Sequence, residues 1–189
     1  MKYFLILVSL GMFLLTACSS LDVKTDYDPQ QDFSTYKTYA WYTGKMPADD
    51  ALSANPLIQK RVMNSVNKEL ESKGYKLTES GDPDFVVIIH AGKKERMQVT
   101  NTGYGAYGYG PYGYGRYGAW GGYGPSDTQV TYYDEATLVV DIADFSKKEL
   151  VWRGTGTGVL SKKERSQEES QEIADEVIMK IMKDFPPTK

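Results

Sequence analysis

The sequence predicts an α+β fold in which two amphipathic helices pack on one face of an antiparallel β-sheet, in the order β-β-α-β-β-β-α. Three observations lead to this prediction. Two segments repeat apolar residues every three or four positions, which is the spacing of a half-buried helix. Five others have the composition or the alternation of strands. Hairpin turns join most of those strands, which favours antiparallel pairing.

Two strands and a helix open the folded part of the chain. Residues 21–29 and 36–42 are strand-like, and a polar turn separates them. The first helix is predicted to have Asn55 as its N-cap, Pro56 at its first position and Gly74 as its left-handed C-terminal cap. Its apolar stripe consists of Ile58, Val62, Val66 and Leu70.

The next strand is predicted to lie in the centre of the sheet. Residues 85–89 are apolar on both faces, which is typical of a strand covered on both sides. We expect this strand to continue to Thr100, and a short strand at residues 75–77 fits before it. After an insert at residues 101–126, the chain resumes as a further strand.

The last two strands are predicted to form a hairpin that turns at residues 144–148. Placing Ala143 opposite Glu149 also places Val140 opposite Trp152, so the apolar side chains share one side of the hairpin. The hydrophobic pattern therefore predicts a definite register.

The final helix is predicted from its caps and from the strand before it. Glycine alternates with threonine over residues 153–159, a spacing that indicates close approach of a helix to the glycine face. Ser166 and Glu169 form a capping box, and Pro186 follows the helix. The apolar stripe is Ile173, Val177, Ile181 and Phe185, widened by Ala174, Ile178 and Met182.

The first residues are typical of an export signal. An apolar run of about fourteen residues follows Lys2 and is too short for a bilayer-spanning helix, so residues 1–17 are predicted to be a signal peptide. Residues 15–18 read LTAC, which resembles the bacterial lipobox. Cys18 is the chain's only cysteine and has no disulfide partner. We therefore predict that Cys18 carries diacylglycerol and a fatty acyl group such as palmitate; the alternative is an ordinary signal peptide cut after Ala17.

This reading divides the chain into three parts. Residues 18–20 form a lipid-anchored tether, and residues 21–187 form a single α+β domain of roughly 170 residues, which is enough for one core. The serine after the cysteine resembles an outer-membrane sorting signal, so we expect a bacterial envelope protein that faces the periplasm. The membrane is the first predicted partner. The net charge of −3 and the lack of a concentrated basic face argue against nucleic-acid binding.

Five stretches together resemble a family of bacterial lipoproteins known as domain of unknown function 4136. They span nearly all of the chain after the signal peptide and are residues 26–41, 55–75, 82–91, 133–158 and 185–187. The resemblance implies a lipid-anchored envelope protein with an α+β domain. It implies no reaction and no catalytic residues, because the family has no assigned activity.

Candidate catalytic and metal-binding groups are few. His90 is the only histidine, and we interpret it as a structural residue on the face of Val86 and Ile88, either satisfied by hydrogen bonds or at the end of the strand. One histidine and an acylated cysteine leave only carboxylates for a metal, so we predict no metal site.

The carboxylates Asp134, Glu135, Asp141 and Asp144 would need a common cleft for acid–base catalysis. We expect Asp141 to form a cross-strand ion pair with Arg153 instead. No calcium-loop motif is present. We therefore predict that the protein is not an enzyme, with an envelope hydrolase that uses carboxylates as the alternative.

Residues 103–124 read GYGAYGYGPYGYGRYGAWGGYG and contain the pattern G-x-G-x-x-G three times. A dinucleotide site needs that pattern at the start of a helix, and no helix is predicted here. The five-residue repeat GYGxY produces the pattern through its glycine content. We predict no nucleotide cofactor.

Two interpretations of this segment stay open. It is a flexible, low-complexity loop between two strands. Alternatively, its aromatic residues contact the sugar rings of peptidoglycan or polysaccharide, or an envelope protein. The functional prediction is accordingly a non-catalytic structural or interaction module, with a glycan-binding accessory protein as the alternative. The candidate contacts are Tyr104, Tyr107, Tyr109, Tyr112, Tyr114, Tyr117, Trp120 and Tyr123.

Overall fold

The computed structural model describes residues 21–79, 81–102, 127–161 and 163–188. A 3₁₀ turn, Phe33–Thr35, precedes the second strand. The strands are β1 (Asp22–Tyr27), β2 (Thr38–Trp41), β3 (Lys76–Leu77), β4 (Phe85–Thr102), β5 (Asp127–Asp144) and β6 (Glu149–Val159), and the helices are α1 (Pro56–Ser72) and α2 (Gln167–Ile181). The predicted elements are all present, and the short strand expected at residues 75–77 is β3.

The six strands form one mixed sheet in the order β1-β6-β5-β4-β2-β3. In that order, β1, β6, β5 and β4 are each antiparallel to the next strand. The strands β4, β2 and β3 run parallel to one another. The prediction of an entirely antiparallel sheet is therefore wrong. The cause is α1, a helix of 17 residues that carries the chain back along the sheet, so that β3 and β4 run in the direction of β2.

The hairpin of β5 and β6 turns where predicted, but its register differs. Ala143 pairs with Leu150 instead of Glu149, and beyond that pair Ile142 lies opposite Trp152. Val151 is the extra residue of a β-bulge. The bulge interrupts the alternation of faces on β6, because Val151 and Trp152 are both buried, whereas Leu150, predicted to lie on the apolar side, is exposed. The predicted register is therefore wrong.

The core lies on one face of the sheet. β4 contributes Phe85, Val87 and Ile89 to it, and all three are buried. On the other face of β4, Val86 and Ile88 are only half-buried. The prediction that this strand is covered on both sides is therefore wrong, although β4 is an inner strand. Further buried core residues are Tyr39, Val62, Val66, Leu70, Val140, Ile142, Trp152, Ile178, Ile181, Met182 and Phe185.

The ends of α1 agree with the prediction only in part. Asn55 occupies the N-cap position, but its side chain accepts no helix hydrogen bond and instead donates Nδ2–H to the Ala51 carbonyl at 2.9 Å. Gly74 follows the helix with φ of +90°, as a left-handed cap requires. Ile58 of the predicted stripe is exposed.

The predicted capping box of α2 is present. The Ser166 hydroxyl accepts from Glu169 N–H at 3.1 Å, and the Glu169 carboxylate accepts from Ser166 N–H at 2.9 Å. The buried stripe is displaced towards the end of the helix: Ile178 and Ile181 are buried, whereas Ile173 is exposed.

Specific contacts connect the helices to the sheet. A Cβ atom on Gly156 would lie 2.7 Å from Ile181 Cδ1, which confirms the predicted close approach of a helix to the glycine face of β6. On α1, the Asn67 Oδ1 atom accepts from the Tyr39 hydroxyl at 2.9 Å and from Trp41 Nε1–H at 3.1 Å. That both helices share one face of the sheet stays a prediction. No helix in the described ranges has the length and apolarity that crossing a membrane requires.

Candidate functional site

A cavity of about 380 Å³ is lined by Tyr36 and Gln31, which are hydrogen-bonded to Asp144 and Lys147 at the turn between β5 and β6. It lies between the segment after β1, the C-terminal end of α1 and the residues after α2. Its volume falls in the range of small-molecule sites. The aromatic residues that line it are Tyr27, Phe33, Tyr36 and Tyr75, and Pro186 and Pro187 close one side.

Aromatic packing holds the walls of this cavity. The Tyr36 and Tyr75 rings each lie with their centroids 5.3 Å from that of Phe85. Phe33 and Tyr75 also contact Phe185, at 6.0 and 5.6 Å. Because such pairs are individually stabilising and share one cluster, they give the cavity a fixed shape.

The Tyr36 hydroxyl donates to Asp144 Oδ2 at 2.8 Å. Burial, reinforced by this hydrogen bond to an anion, raises the pKa of Tyr36 well above its usual value. Burial alone would raise the pKa of Asp144, but hydrogen bonds from Lys147 N–H and from the Ser146 and Tyr36 hydroxyls lower it below its ordinary value. The pair therefore stays as phenol and carboxylate at neutral pH, which suits a structural role.

Two ammonium groups lie at the rim of the cavity. Lys37 and Lys73 both line it, and Lys73 Nζ is 3.2 Å from Glu69 Oε1. Asp32, on the same rim, accepts from Ser34 N–H at 3.0 Å. Aromatic side chains and lysines in one cavity can together contact a ring-shaped organic ligand, so this cavity has the chemistry of a binding site.

The Asp141 carboxylate forms the predicted ion pair with Arg153. Arg153 Nε and Nη2 each donate to one carboxylate oxygen at 2.7 Å. Hydrogen bonding to this carboxylate raises the pKa of Arg153. Although it lies on the second sheet face, the Asp141 residue is only 4% exposed. The bulge at Val151 puts the two residues directly opposite each other, closer than the predicted diagonal arrangement.

The remaining carboxylate candidates are also paired. Asp134 lies 3.1 Å from Lys93 Nζ, and Glu135 lies 2.8 Å from Arg96 Nε. As neighbours on one strand, Asp134 and Glu135 point to opposite faces and do not share a cleft. Across the part of the chain that is described, no three His, Cys, Asp or Glu side chains gather as a metal site.

His90 lies inside β4, opposite Val139 and half-buried. Its prediction as a strand-end residue is wrong, because β4 continues to Thr102.

The predicted lipidation and contact residues lie outside the described residues. They are Cys18, Tyr104, Tyr107, Tyr109, Tyr112, Tyr114, Tyr117, Trp120 and Tyr123. The strands on either side of the Gly/Tyr segment are antiparallel partners, and Thr102 pairs with Asp127. The segment therefore connects a hairpin, as predicted, and it begins two residues later than the predicted insert boundary.

This hairpin extends beyond the rest of the sheet. Residues 95–102 of β4 pair with residues 127–134 of β5 past the last residue of β6, and we name this part the β4–β5 ribbon. One face of the ribbon carries Met97, Val130 and Tyr132, whose exposed fractions are 59%, 44% and 60%.

No pattern in the sequence predicts the cavity. Its aromatic residues come from three segments: the end of β1, the 3₁₀ turn with the residue after it, and the residue before β3. Apart from the concentration of aromatic residues in residues 27–36 and at position 75, no pattern in the sequence marks them as neighbours.

Comparison with known proteins gives a family and a fold. No curated protein matches. A PDZ domain protein from Parabacteroides distasonis ATCC 8503 is similar with a TM-score of 0.54 and 15% identity, covering 90% of this chain and 37% of that chain. The likeness concerns the fold alone. A PelC dodecamer from Paraburkholderia phytofirmans gives a TM-score of 0.44 and 11% identity, covering 90% of this chain and 100% of that chain.

The family model described as domain of unknown function 4136 matches residues 23–187, which includes every strand and helix except the first residue of β1. This match agrees with the resemblance seen in five stretches of the sequence. The chain belongs to the family of domain of unknown function 4136.

Proposed function

We propose that this chain is a lipid-anchored, non-catalytic interaction module of the bacterial cell envelope, held at the outer membrane and facing the periplasm. The state of its carboxylates carries the proposal. Asp134, Glu135 and Asp141 are each bound to a cation on the sheet, and Asp144 is held by hydrogen bonds. These four carboxylates are therefore already engaged in structural contacts. This supports a protein that acts through its surfaces.

The anchor is proposed at Cys18. Only residues 19–21 separate this cysteine from Asp22, the first residue of β1, so an acylated Cys18 would hold the folded domain close to the bilayer. The diacylglycerol and the amide-linked acyl chain supply the more than one buried chain that stable anchoring needs.

Replacing the cysteine tests the anchor. The Cys18→Ala chain is expected to lose labelled fatty acid and to leave the membrane fraction of cells. The matched control is Ser19→Ala, which is expected to retain the label because the acylated residue is unchanged. If label persists on Cys18→Ala, the anchor is wrong.

We also propose that both helices lie on one face of the sheet and leave the other face for a protein partner. Two contacts support this: Asn67 of α1 bonds to Tyr39, and Ile181 of α2 lies over Gly154 and Gly156. Crosslinking in intact cells from a photoreactive residue at Ile88 tests it. A partner captured from Ile88, and not from the exposed Met179 of α2, is expected. Equal capture from both positions would argue against a specific surface.

A glycan-binding accessory protein is the second candidate. It draws support from the β4–β5 ribbon, which holds both ends of the tyrosine-rich segment beyond the last residue of β6. Replacing residues 103–124 with a Gly/Ser segment of equal length is expected to abolish peptidoglycan pull-down. The control is Tyr27→Ser in the cavity. If pull-down survives the replacement, this candidate loses its support.

A further inference from the structure

We propose that the β4–β5 ribbon lies against the bilayer that holds Cys18, with the face formed by Met97, Val130 and Tyr132 in the lipid headgroup region. The inference deepens the proposed function and rests on it, because the bilayer's position follows from acylation of Cys18. Four observations carry it: the register of the sheet, the length of the ribbon, the polarity of its two faces and its balance of charge.

The register places the start of β1 and the root of the ribbon at the same end of the molecule. One row of paired residues crosses the sheet there and consists of Asp22, Thr157, Thr137 and Gly92. From this row β1 runs away from the ribbon, towards Tyr27 opposite Trp152. The chain before Asp22 therefore enters from the ribbon side, whereas the cavity lies at the other end.

The ribbon is longer than the tether. A fully extended chain from Cys18 to Asp22 spans at most about 14 Å. From Gly92 to Thr102 the strand advances roughly 33 Å in the same direction. The tip of the ribbon thus lies more than twice the tether's reach beyond the row of Asp22, so an anchor that holds this end of the sheet near the bilayer brings the ribbon onto the lipid surface.

The two faces of the ribbon differ in polarity beyond its first two rows, which hold Glu95 opposite Asp134 on one face and Arg96 opposite Tyr133 on the other. Met97 lies directly opposite Tyr132, and Val130 follows on the same face, so three exposed apolar or amphipathic side chains are contiguous. In the next row of the other face, Gln98 lies opposite Thr131. Tyrosine favours the membrane–water interface, where its ring meets acyl chains and its hydroxyl meets headgroups. A ribbon of only two strands is also marginally stable in water, so contact with a surface would stabilise it.

The charges at the ribbon's base nearly cancel. Lys93, Lys94 and Arg96 stand beside Glu95, Asp134 and Glu135, and two of these cations are already in ion pairs. A balanced surface is not drawn to anionic lipid by long-range attraction. We therefore expect apolar contact to hold the ribbon, with little dependence on salt.

Cysteine labelling in vesicles tests the inference. The full-length, acylated chain is purified from envelopes and reconstituted in vesicles of phosphatidylethanolamine and phosphatidylglycerol, with or without brominated acyl chains. Met97→Cys and Tyr132→Cys each carry a bimane probe, and the matched controls are Gln98→Cys and Thr131→Cys from the other face. The thioether of acylated Cys18 does not react with the probe. Circular dichroism checks the fold of each variant, and two positions per face keep the test valid if one variant misfolds.

The expected result is loss of fluorescence with brominated lipid at positions 97 and 132, unchanged at high salt, and little loss at 98 and 131. Equal loss on both faces, or none, overturns the inference. Protection from aqueous iodide without quenching by bromine also overturns it and indicates a protein on this face. The mass of the N-terminal peptide reports acylation separately. An acylated chain without quenching contradicts the ribbon contact alone, whereas an unacylated chain contradicts the anchor in the proposed function.

Discussion

Gly156 leaves the space on β6 that Ile181 of α2 occupies. A Cβ atom there would lie 2.7 Å from Ile181 Cδ1 and 2.9 Å from Cγ1, and Ile181 is buried. Because the isoleucine must shift within a packed core, Gly156→Ala is expected to lower the free energy of unfolding by about 1–3 kcal/mol. Urea denaturation measures the change.

Gly158→Ala is the matched control for this substitution. It lies two residues along the same face, and its Cβ would meet Leu21 Cδ1 at 3.4 Å, an ordinary contact. Its free energy of unfolding is expected to stay the same or to rise slightly, because alanine restricts the unfolded chain. Equal destabilisation by both substitutions would show that helix packing is not the cause.

Arg153 compensates the buried charge of Asp141. With Arg153→Ala the carboxylate loses two hydrogen bonds, and the expected loss of unfolding free energy is about 1–3 kcal/mol. Arg153→Lys is expected to recover only part of it, because an ammonium group cannot donate in the same forked geometry.

A double-mutant cycle separates the pair from other effects of Arg153. In an Asp141→Ala background, Arg153→Ala is expected to cost much less than in the parent chain. The same cost in both backgrounds, measured by urea denaturation, would mean that Arg153 stabilises the sheet through packing of its side chain.

At the scale of elements, the two helices begin in different ways. Ser166 accepts a hydrogen bond from α2, whereas Asn55 of α1 points its side chain back to Ala51. Ser166→Ala is therefore expected to lower the free energy of unfolding by about 1 kcal/mol, and Asn55→Ala by distinctly less. Thermal denaturation of both variants checks the difference. A larger loss for Asn55→Ala would contradict the assigned caps.

Local patterns predicted the helices and most strands because their causes are local. The Ser166 capping box and the cap at Gly74 depend on neighbouring residues and are found as predicted. The partnership of Asp141 with Arg153 was also predicted, although the bulge at Val151 changed its geometry. The bulge interrupts the alternation of faces, so that Val151 and Trp152 are both buried. Because Leu150, Val151 and Trp152 are all apolar, the hydrophobic pattern does not reveal where the interruption lies.

Features that depend on distant segments were not predictable in the same way. The parallel pairing of β2 with β4 follows from the path of α1 across the sheet, which no turn motif records. The cavity needs Tyr27, Tyr75 and Pro186 to meet, and these residues are far apart in the chain. Polar contacts between distant segments, such as the partly buried Asp84 accepting from Thr38 N–H at 2.7 Å, likewise appear only in the folded chain.

At the scale of the whole molecule, stability is expected to fall in acid. Hydrogen bonds from Lys68 and then Ser65, both on α1, lower the pKa of Asp175 on α2 to about 2. A folded pKa below the unfolded value near 4 gives stability that is fully present above the unfolded value. That contribution is lost as the pH falls from about 4 to about 2.

Asp175→Asn is expected to reduce the slope of the free energy of unfolding against pH over this range. It is also expected to lower that free energy at neutral pH. Urea midpoints measured between pH 2 and 7 test this. The matched control is Glu176→Gln, because Glu176 is exposed and pairs within α2 with Lys180. An unchanged slope for Asp175→Asn would mean that other carboxylates, such as Asp50 and Asp84, whose pKa values are also lowered, dominate the acid response.

The pairing of β1 with β6 also determines when the sheet can be completed as the chain emerges from N- to C-terminus. β1 emerges first, but its partner strand becomes available only when most of the chain has followed. Meanwhile β4, β5 and β6 can pair with their sequence neighbours, because short loop closures precede long ones. β1 thus waits as an unpaired strand, a state prone to association with other chains. A chain truncated before Glu149 lacks β6 and would keep β1 unpaired permanently. This truncated chain is therefore expected to depend on chaperones to stay soluble.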